Sequence, residues 1–280
     1  MTTSESILAT LAYHDIFDYP LTPEEIWLYQ IEKTTSLKAV KKELWLLAKF
    51  KKVQNQHNLY SLKSRGAIIK MRLRREKYSK LKLKKAKFYA NILKSIPTVS
   101  MVGITGALAM QNSDQKDDID LLVVTSKNSL WSTRLFVNIL LYPYRRKPDQ
   151  PHTNNKACLN IFLTQNNLKV TTQNLYTAHE IAQTKPIWQR GNTYASFIKA
   201  NSWVKKYLPN WQLQMGDSLK TYQQTEFKIF PEKIAKKLQL SYMKKRITTE
   251  KIGDNQLFFH PADTESWVLQ EYQKRLKKLR

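Results

Sequence analysis

Two short apolar runs set the frame for this chain. Val99-Ser100-Met101-Val102-Gly103 and the stretch from Ile119 to Val124 are too short for ordinary helices and suit buried strands. Between them, Ala107-Leu108-Ala109-Met110 is compatible with one short helix. The second run opens with Asp118 and Asp120. Side chains alternate along a strand, so these two carboxylates share one face and Ile119 and Leu121 take the other. Carboxylates that close repel, and both stay ionised most readily with a cation between them. A hard ion such as magnesium suits the pair, because it takes oxygen ligands and keeps water or phosphate oxygens in its remaining positions. Gly106 lets backbone approach a phosphate, and the helix start behind it offers free N–H groups.

The stretch Gly103-Ile104-Thr105-Gly106-Ala107-Leu108-Ala109, followed by Asp117-Asp118-Ile119-Asp120 and four apolar residues, resembles the signature of the DNA polymerase beta-like nucleotidyltransferase superfamily. That signature is a strand, a Gly-Ser turn into a short helix, and a second strand bearing Asp-x-Asp, at the spacing that Gly106 and Asp118 show here. The resemblance covers about residues 97–172. It implies a mixed sheet with flanking helices in an α+β fold. It also implies magnesium or manganese on Asp118 and Asp120, and a nucleoside triphosphate substrate cradled at Gly106 and Ala107. The chain departs from the pattern twice. Ala107 stands where the family usually has serine, so only backbone N–H groups can serve there. The family often carries a third acid on a later strand, and the matching strand here, around Cys158-Leu159-Asn160-Ile161-Phe162, has Asn160. An asparagine carbonyl can join a metal site but accepts no proton at neutral pH. Glu180, on a following helix, is a candidate substitute base, with an exposed helical carboxylate as the plainer reading.

Four segments follow from the pattern. Residues 1–62 read as three helices and a hairpin. Thr22-Pro23-Glu24-Glu25 is a helix start with a capping box, Leu37, Val40, Leu44 and Leu47 share a face, and Val53 and Leu59-Tyr60 flank a polar turn. This order resembles a winged helix-turn-helix domain. Residues 63–96, rich in Lys and Arg with Glu76 as the single acid, predict one long basic connecting helix. Its apolar side would carry Ile69, Leu73, Leu81, Phe88, Ile92 and Leu93, and its cationic side could track phosphates or simply face solvent. Residues 97–172 form the nucleotidyltransferase-like domain, with further strands expected at Ala157–Leu163 and Leu168–Thr171 and a helix at Ser129–Tyr142. Residues 173–280 read as mainly helical: Ala178–Gln183, Thr193–Tyr207, Pro231–Tyr242 and Asp263–Leu279, punctuated by Pro209, Gly216 and Gly253. Arg134 could reach a phosphate or form a structural ion pair. His179 reads as a surface or core histidine, and His260, before Pro261, as a strand end or turn.

Composition bounds the partners. Of 280 residues, 42% are hydrophobic, enough for a folded core. The formal charge of +25 favours an anionic partner, meaning nucleic acid, a nucleotide or an anionic surface; a solubility-driven surface is the alternative. The single cysteine, Cys158, excludes an internal disulfide and a thiol-rich zinc site, and points to a reducing compartment. The N-terminus lacks the basic and apolar regions of a signal peptide, and the apolar stretch Leu135–Tyr142, with Asn138 inside, is too short to span a bilayer. The expectation is therefore a cytoplasmic, non-membrane protein. It would transfer a nucleoside monophosphate to RNA, DNA, a protein or a small molecule, with Asp118, Asp120 and Asn160 around the metal. The alternatives are a regulatory protein that binds nucleotide or nucleic acid without turnover, and one partner of a toxin–antitoxin pair.

Overall fold

The computed structural model describes residues 1–147, 153–212, 221–223, 230–244, 250–259 and 262–279. His260 and Gly216 lie outside them. The chain opens with α1 (Thr3–Asp15), α2 (Pro23–Leu28) and α3 (Leu37–Lys49). Capping boxes start the first two: Thr2 with Glu5, and Thr22 with Glu25. The hairpin β1 (Val53–Gln56) and β2 (Leu59–Leu62) turns at His57 and Asn58, both with positive φ, the geometry that matches strand twist in a two-residue loop.

A seven-stranded mixed sheet forms the centre. Its strands are β3 (Val99–Ile104), β4 (Ile119–Thr125), β5 (Ala157–Thr164), β6 (Lys185–Arg190), β7 (Thr221–Tyr222), β8 (Lys251–Ile252) and β9 (Gln256–Phe258), in the order β7-β6-β3-β4-β5-β9-β8. β3 runs antiparallel to both β4 and β6, and β4 parallel to β5. The α+β expectation holds. Alternation divides the sheet cleanly. Val102, Leu121, Val123 and Phe162 face one apolar layer, together with α4 (Ala67–Leu93), α6 (Leu130–Leu140) and α9 (Glu232–Met243). Met101, Leu122, Val124, Ile161 and Leu163 face the other, shared with α1 to α3, α7 (Leu175–Gln183), α8 (Thr193–Ala200) and α10 (Ala262–Leu279). The first 62 residues thus share a core with the sheet. Among the described residues no helix is long and apolar enough to cross a membrane.

Four expectations are corrected. The basic helix forms, and Ile69 and Leu93 are buried as expected with Ile92 packed against the core, but the middle of its inward face is not apolar. Leu73, Leu81 and Phe88 are 40%, 61% and 47% exposed, whereas Arg72 and Lys82 are 6% and 1% exposed. Polar groups enter that face where it meets loops whose carbonyls need donors: Lys82 Nζ bonds the carbonyls of Asp117 (2.5 Å) and Gln115 (3.3 Å), and Tyr89 Oη bonds that of Asn155 (2.7 Å). Leu168–Thr171 is not a strand; side chains satisfy its backbone instead, Asn201 accepting from Val170 N and donating to Leu168 O, and Gln256 donating to Lys169 O. Lys185–Arg190, inside the segment expected to be helical, is a strand beside β3, with Pro186 opposite Gly103. The helix expected over Thr193–Tyr207 breaks at Asn201 and continues as a 3-10 turn, Ser202–Lys206.

One buried ion pair joins α2 to α4. Arg72 donates to both oxygens of Glu25 (2.7 and 2.9 Å), to Glu76 (3.0 Å) and to Pro20 O, and its guanidinium lies 4.3 Å from the Tyr19 ring. Removing one partner strands a buried charge. Arg72→Met is therefore expected to lower unfolding free energy by about 3–5 kcal/mol, and Arg72→Met with Glu25→Gln by less, because no charge is then left alone. Urea denaturation of the three variants measures the difference.

Candidate metal site and adjoining cleft

Asp118 lies immediately before β4 and Asp120 within it, and the pleat places both on the face that carries Leu122. The loop before them is held by Asp117, whose carboxylate accepts from Asp114 N (2.7 Å) and Ser113 Oγ (3.4 Å). β5 places Cys158, rather than Asn160, directly across from Asp120. A register shift between Leu121 and Leu122 then brings Asn160 alongside. Its amide donates to Asp120 Oδ1, and its carbonyl accepts from Cys158 Sγ at 2.9 Å. The structure thus brings Asn160 to the carboxylates, with its NH2 towards Asp120 and its carbonyl towards the thiol.

The fit between Gly106 and Asp120 is the tightest feature of the site. Gly106 begins the single turn α5 (Gly106–Ala109) with φ of +58°, and a Cβ there would lie 2.6 Å from Asp120 Oδ2. Thr105 N also donates to Asp120 O at 3.1 Å. Glycine is needed here for two local reasons, left-handed backbone and direct apposition to a carboxylate. Ala107 is exposed beside it, and its carbonyl accepts from Asn112 N.

Arg146 completes the site. Tyr144 and Arg146 exchange backbone bonds with Ala157, which fixes the segment after α6 beside β5, and Arg146 Nη1 reaches Asp118 Oδ2 at 3.0 Å. Burial pushes the Asp120 carboxyl up to about 7; the charge of Asp118 adds to this, and bonds from Asn160 and Cys158 together with the charge of Arg146 oppose it. Burial, followed by the neighbouring carboxylates, also raises the Cys158 thiol.

Ligand atoms of Asp118, Asp120 and Cys158 lie within 4.8 Å of one another. The donor set fits a hard divalent ion held by two carboxylates with open positions. It does not make a closed zinc site, because no fourth His, Cys, Asp or Glu joins the group among the described residues.

Beside the pair, on the same sheet face, a cleft encloses about 910 Å³ including its open mouth. Thr105, Leu122 and Ile161 form its floor, and α7 forms a wall with Tyr176, Glu180 and Ile181. Glu180 is therefore not an exposed helical carboxylate. It lines the cleft, and burial, then the charge of Asp120, pushes it up to about 7. His179, its neighbour, is a core residue stacked on Tyr13 at 3.9 Å, held below its ordinary value by burial. Arg134 serves neither expected role: it bonds Gln239 Oε1 at 2.6 Å and lies 4.8 Å from the Phe259 ring, in the layer behind the opposite face of the sheet.

Sequence reasoning missed Arg146, Cys158 as a neighbour of Asp120, and Lys82. The available signal was the basic cluster Arg145-Arg146-Lys147 shortly before a strand that would pair with the Asp-x-Asp strand. No protein-family model, curated protein or solved structure matches this chain.

Gly106→Ala is expected to cost about 1–3 kcal/mol in stability, since both φ and the Cβ contact are unfavourable. Combined with Asp120→Ala it should cost less than the sum of the two changes, because the second removes the clashing oxygen. A double-mutant cycle by chemical denaturation reads the coupling.

Proposed function

We propose that this chain is a metal-dependent nucleotidyltransferase of the polymerase beta-like kind, transferring a nucleoside monophosphate from a triphosphate to an acceptor. The observation that carries the reading is the apposition of Gly106 to Asp120 with Asp118 and Arg146 beside them. It supplies paired oxygen ligands, a glycine turn and a half-exposed cation at one strand end. Asp118 and Asp120 would hold magnesium or manganese, and Asn160 would fix the orientation of Asp120. A bound ion would supply Lewis-acid charge to the triphosphate oxygens, which favours in-line attack at the α-phosphorus. Arg146, half-exposed, would move from Asp118 to a phosphate oxygen, and the backbone at Gly106 and Ala107 would face the phosphates. An acceptor oxygen then bonds to the α-phosphorus, the bond to the β-phosphate bridging oxygen breaks, pyrophosphate leaves, and the acceptor proton passes to solvent.

The three helices and hairpin at the N-terminus fit a winged-helix reading. α3 carries Trp45 exposed and ends at the exposed Phe50, with Lys49 over the Trp45 ring at 5.2 Å, a surface suited to RNA or DNA. The second reading, a nucleotide- or nucleic-acid-binding regulator without turnover, is favoured by Asn160 in place of a third acid and by the missing hydroxyl at Ala107.

Label from an α-labelled triphosphate is expected to move onto an RNA, protein or small-molecule fraction with magnesium, and to be lost in Asp120→Asn. Salt-sensitive binding of nucleic acid with no transferred label would favour the regulator. Because a proton on Asp120 competes with metal, manganese affinity should fall about tenfold per unit as pH drops below about 7 and level off above it. An ordinary carboxylate pair would level off near ~4. Titration calorimetry across pH distinguishes the two profiles.

A further inference from the structure

The cleft beside the metal pair holds polar groups that the proposed transfer does not use. Thr105 is 1% exposed, and its Oγ1 is buried with no hydrogen-bond partner, on a floor otherwise made of Leu122 and Ile161. The Glu180 carboxylate enters from α7 and makes no hydrogen bond to any described residue. An ionised carboxylate in such surroundings is costly unless a counter-charge joins it. Among the described residues lining the cleft, the other charged groups are Glu265, which accepts from Asn174 Nδ2 at 2.6 Å, and Lys251, whose Nζ bonds Thr172 Oγ1 at 2.9 Å. Among these described residues, two carboxylates against one ammonium give the cleft a negative lining in a chain of formal charge +25. The Tyr176 phenol, in the same wall, is raised by burial and then by Glu180, Glu265 and Asp120, which agrees with a negative interior. A free anion or a phosphate backbone, the partners suggested by the overall charge, is repelled here.

We propose that this cleft binds a small organic cation: a primary amine whose ammonium donates to Glu180 and to Thr105 Oγ1, and whose apolar body lies on Leu122, Ile161 and Phe197. The lining suits an arylalkyl or alkyl amine, because small-molecule sites are mostly apolar with a few oriented polar groups, as this cleft is. The site stands whether or not transfer occurs at Asp118 and Asp120.

The test uses the full chain, above neutral pH, titrated by ligand-observed NMR with phenethylamine, 2-phenylethanol and 3-phenylpropionate, which differ in charge on a common body. Phenethylamine is expected to bind most tightly and 3-phenylpropionate not at all. Glu180→Gln should weaken the amine about tenfold or more, the loss of a charge-assisted hydrogen bond, while leaving the alcohol unchanged. Leu122→Trp, which fills the floor, should abolish both, and Thr105→Val offers a milder second variant that should weaken the amine. Asp118→Asn should leave amine binding intact, so loss of transfer and loss of this site are read separately. Equal binding of amine and carboxylate, undiminished binding to Glu180→Gln, or no binding of any probe would overturn the proposal.

Discussion

The ammonium of Lys82, buried halfway along α4, is the contact on which the arrangement of the site rests. It reaches the carbonyls of Gln115 and Asp117 and the side chain of Asn155, so one donor group ties together the loop before β4 and the loop before β5. Asn155 N closes the pair by donating to Asp117 O. Loops carry backbone groups without secondary-structure partners, and burying them is tolerable only where such donors are supplied. Helix α4 supplies partners along its length: Ser79 Oγ accepts from Ser113 N, Lys82 donates to the acidic loop, and Tyr89 donates to Asn155 O. A helix that looks like a solvated cationic rod is a row of internal struts, and Asp118 and Asp120 are positioned through it.

Charge is distributed in two opposing patterns. The chain as a whole is strongly cationic, while a local group of acids gathers at the start of the central strand β4, where Asp118 and Asp120 meet Arg146, and in the adjoining cleft, where Glu180 lies. A long-range positive field draws polyanions towards the molecule, and the local carboxylates select what happens at close range. These effects do not conflict, because screening confines the second to a few ångströms in solution and burial strengthens it inside the cleft.

Much of this was legible in the chain itself, for identifiable reasons. The Asp-x-Asp strand, the hairpin and the capped helices rest on local rules: alternation, turn residues and capping boxes. The failures share one cause, the replacement of a local rule by a tertiary contact. In α4, Leu73, Leu81 and Phe88 face out because the elements opposite the inner face need donors more than apolar surface. Asn201 provides hydrogen bonds that Leu168–Thr171 would have found in a strand, and breaks the helix it sits in. Lys185–Arg190 carries a proline and charged ends, so its strand character comes from the neighbour β3. Glu180 and Arg146 became meaningful only once the sheet had placed α7 and the segment after α6 beside Asp120 and Asp118.

The contact between Gly106 and Asp120 makes the order of substitution matter. A side chain placed at 106 meets the carboxylate, whereas loss of the carboxylate removes that clash and leaves only the left-handed backbone for a new side chain to bear. A change at 120 therefore lowers the barrier to a later change at 106, and the reverse order meets both penalties at once.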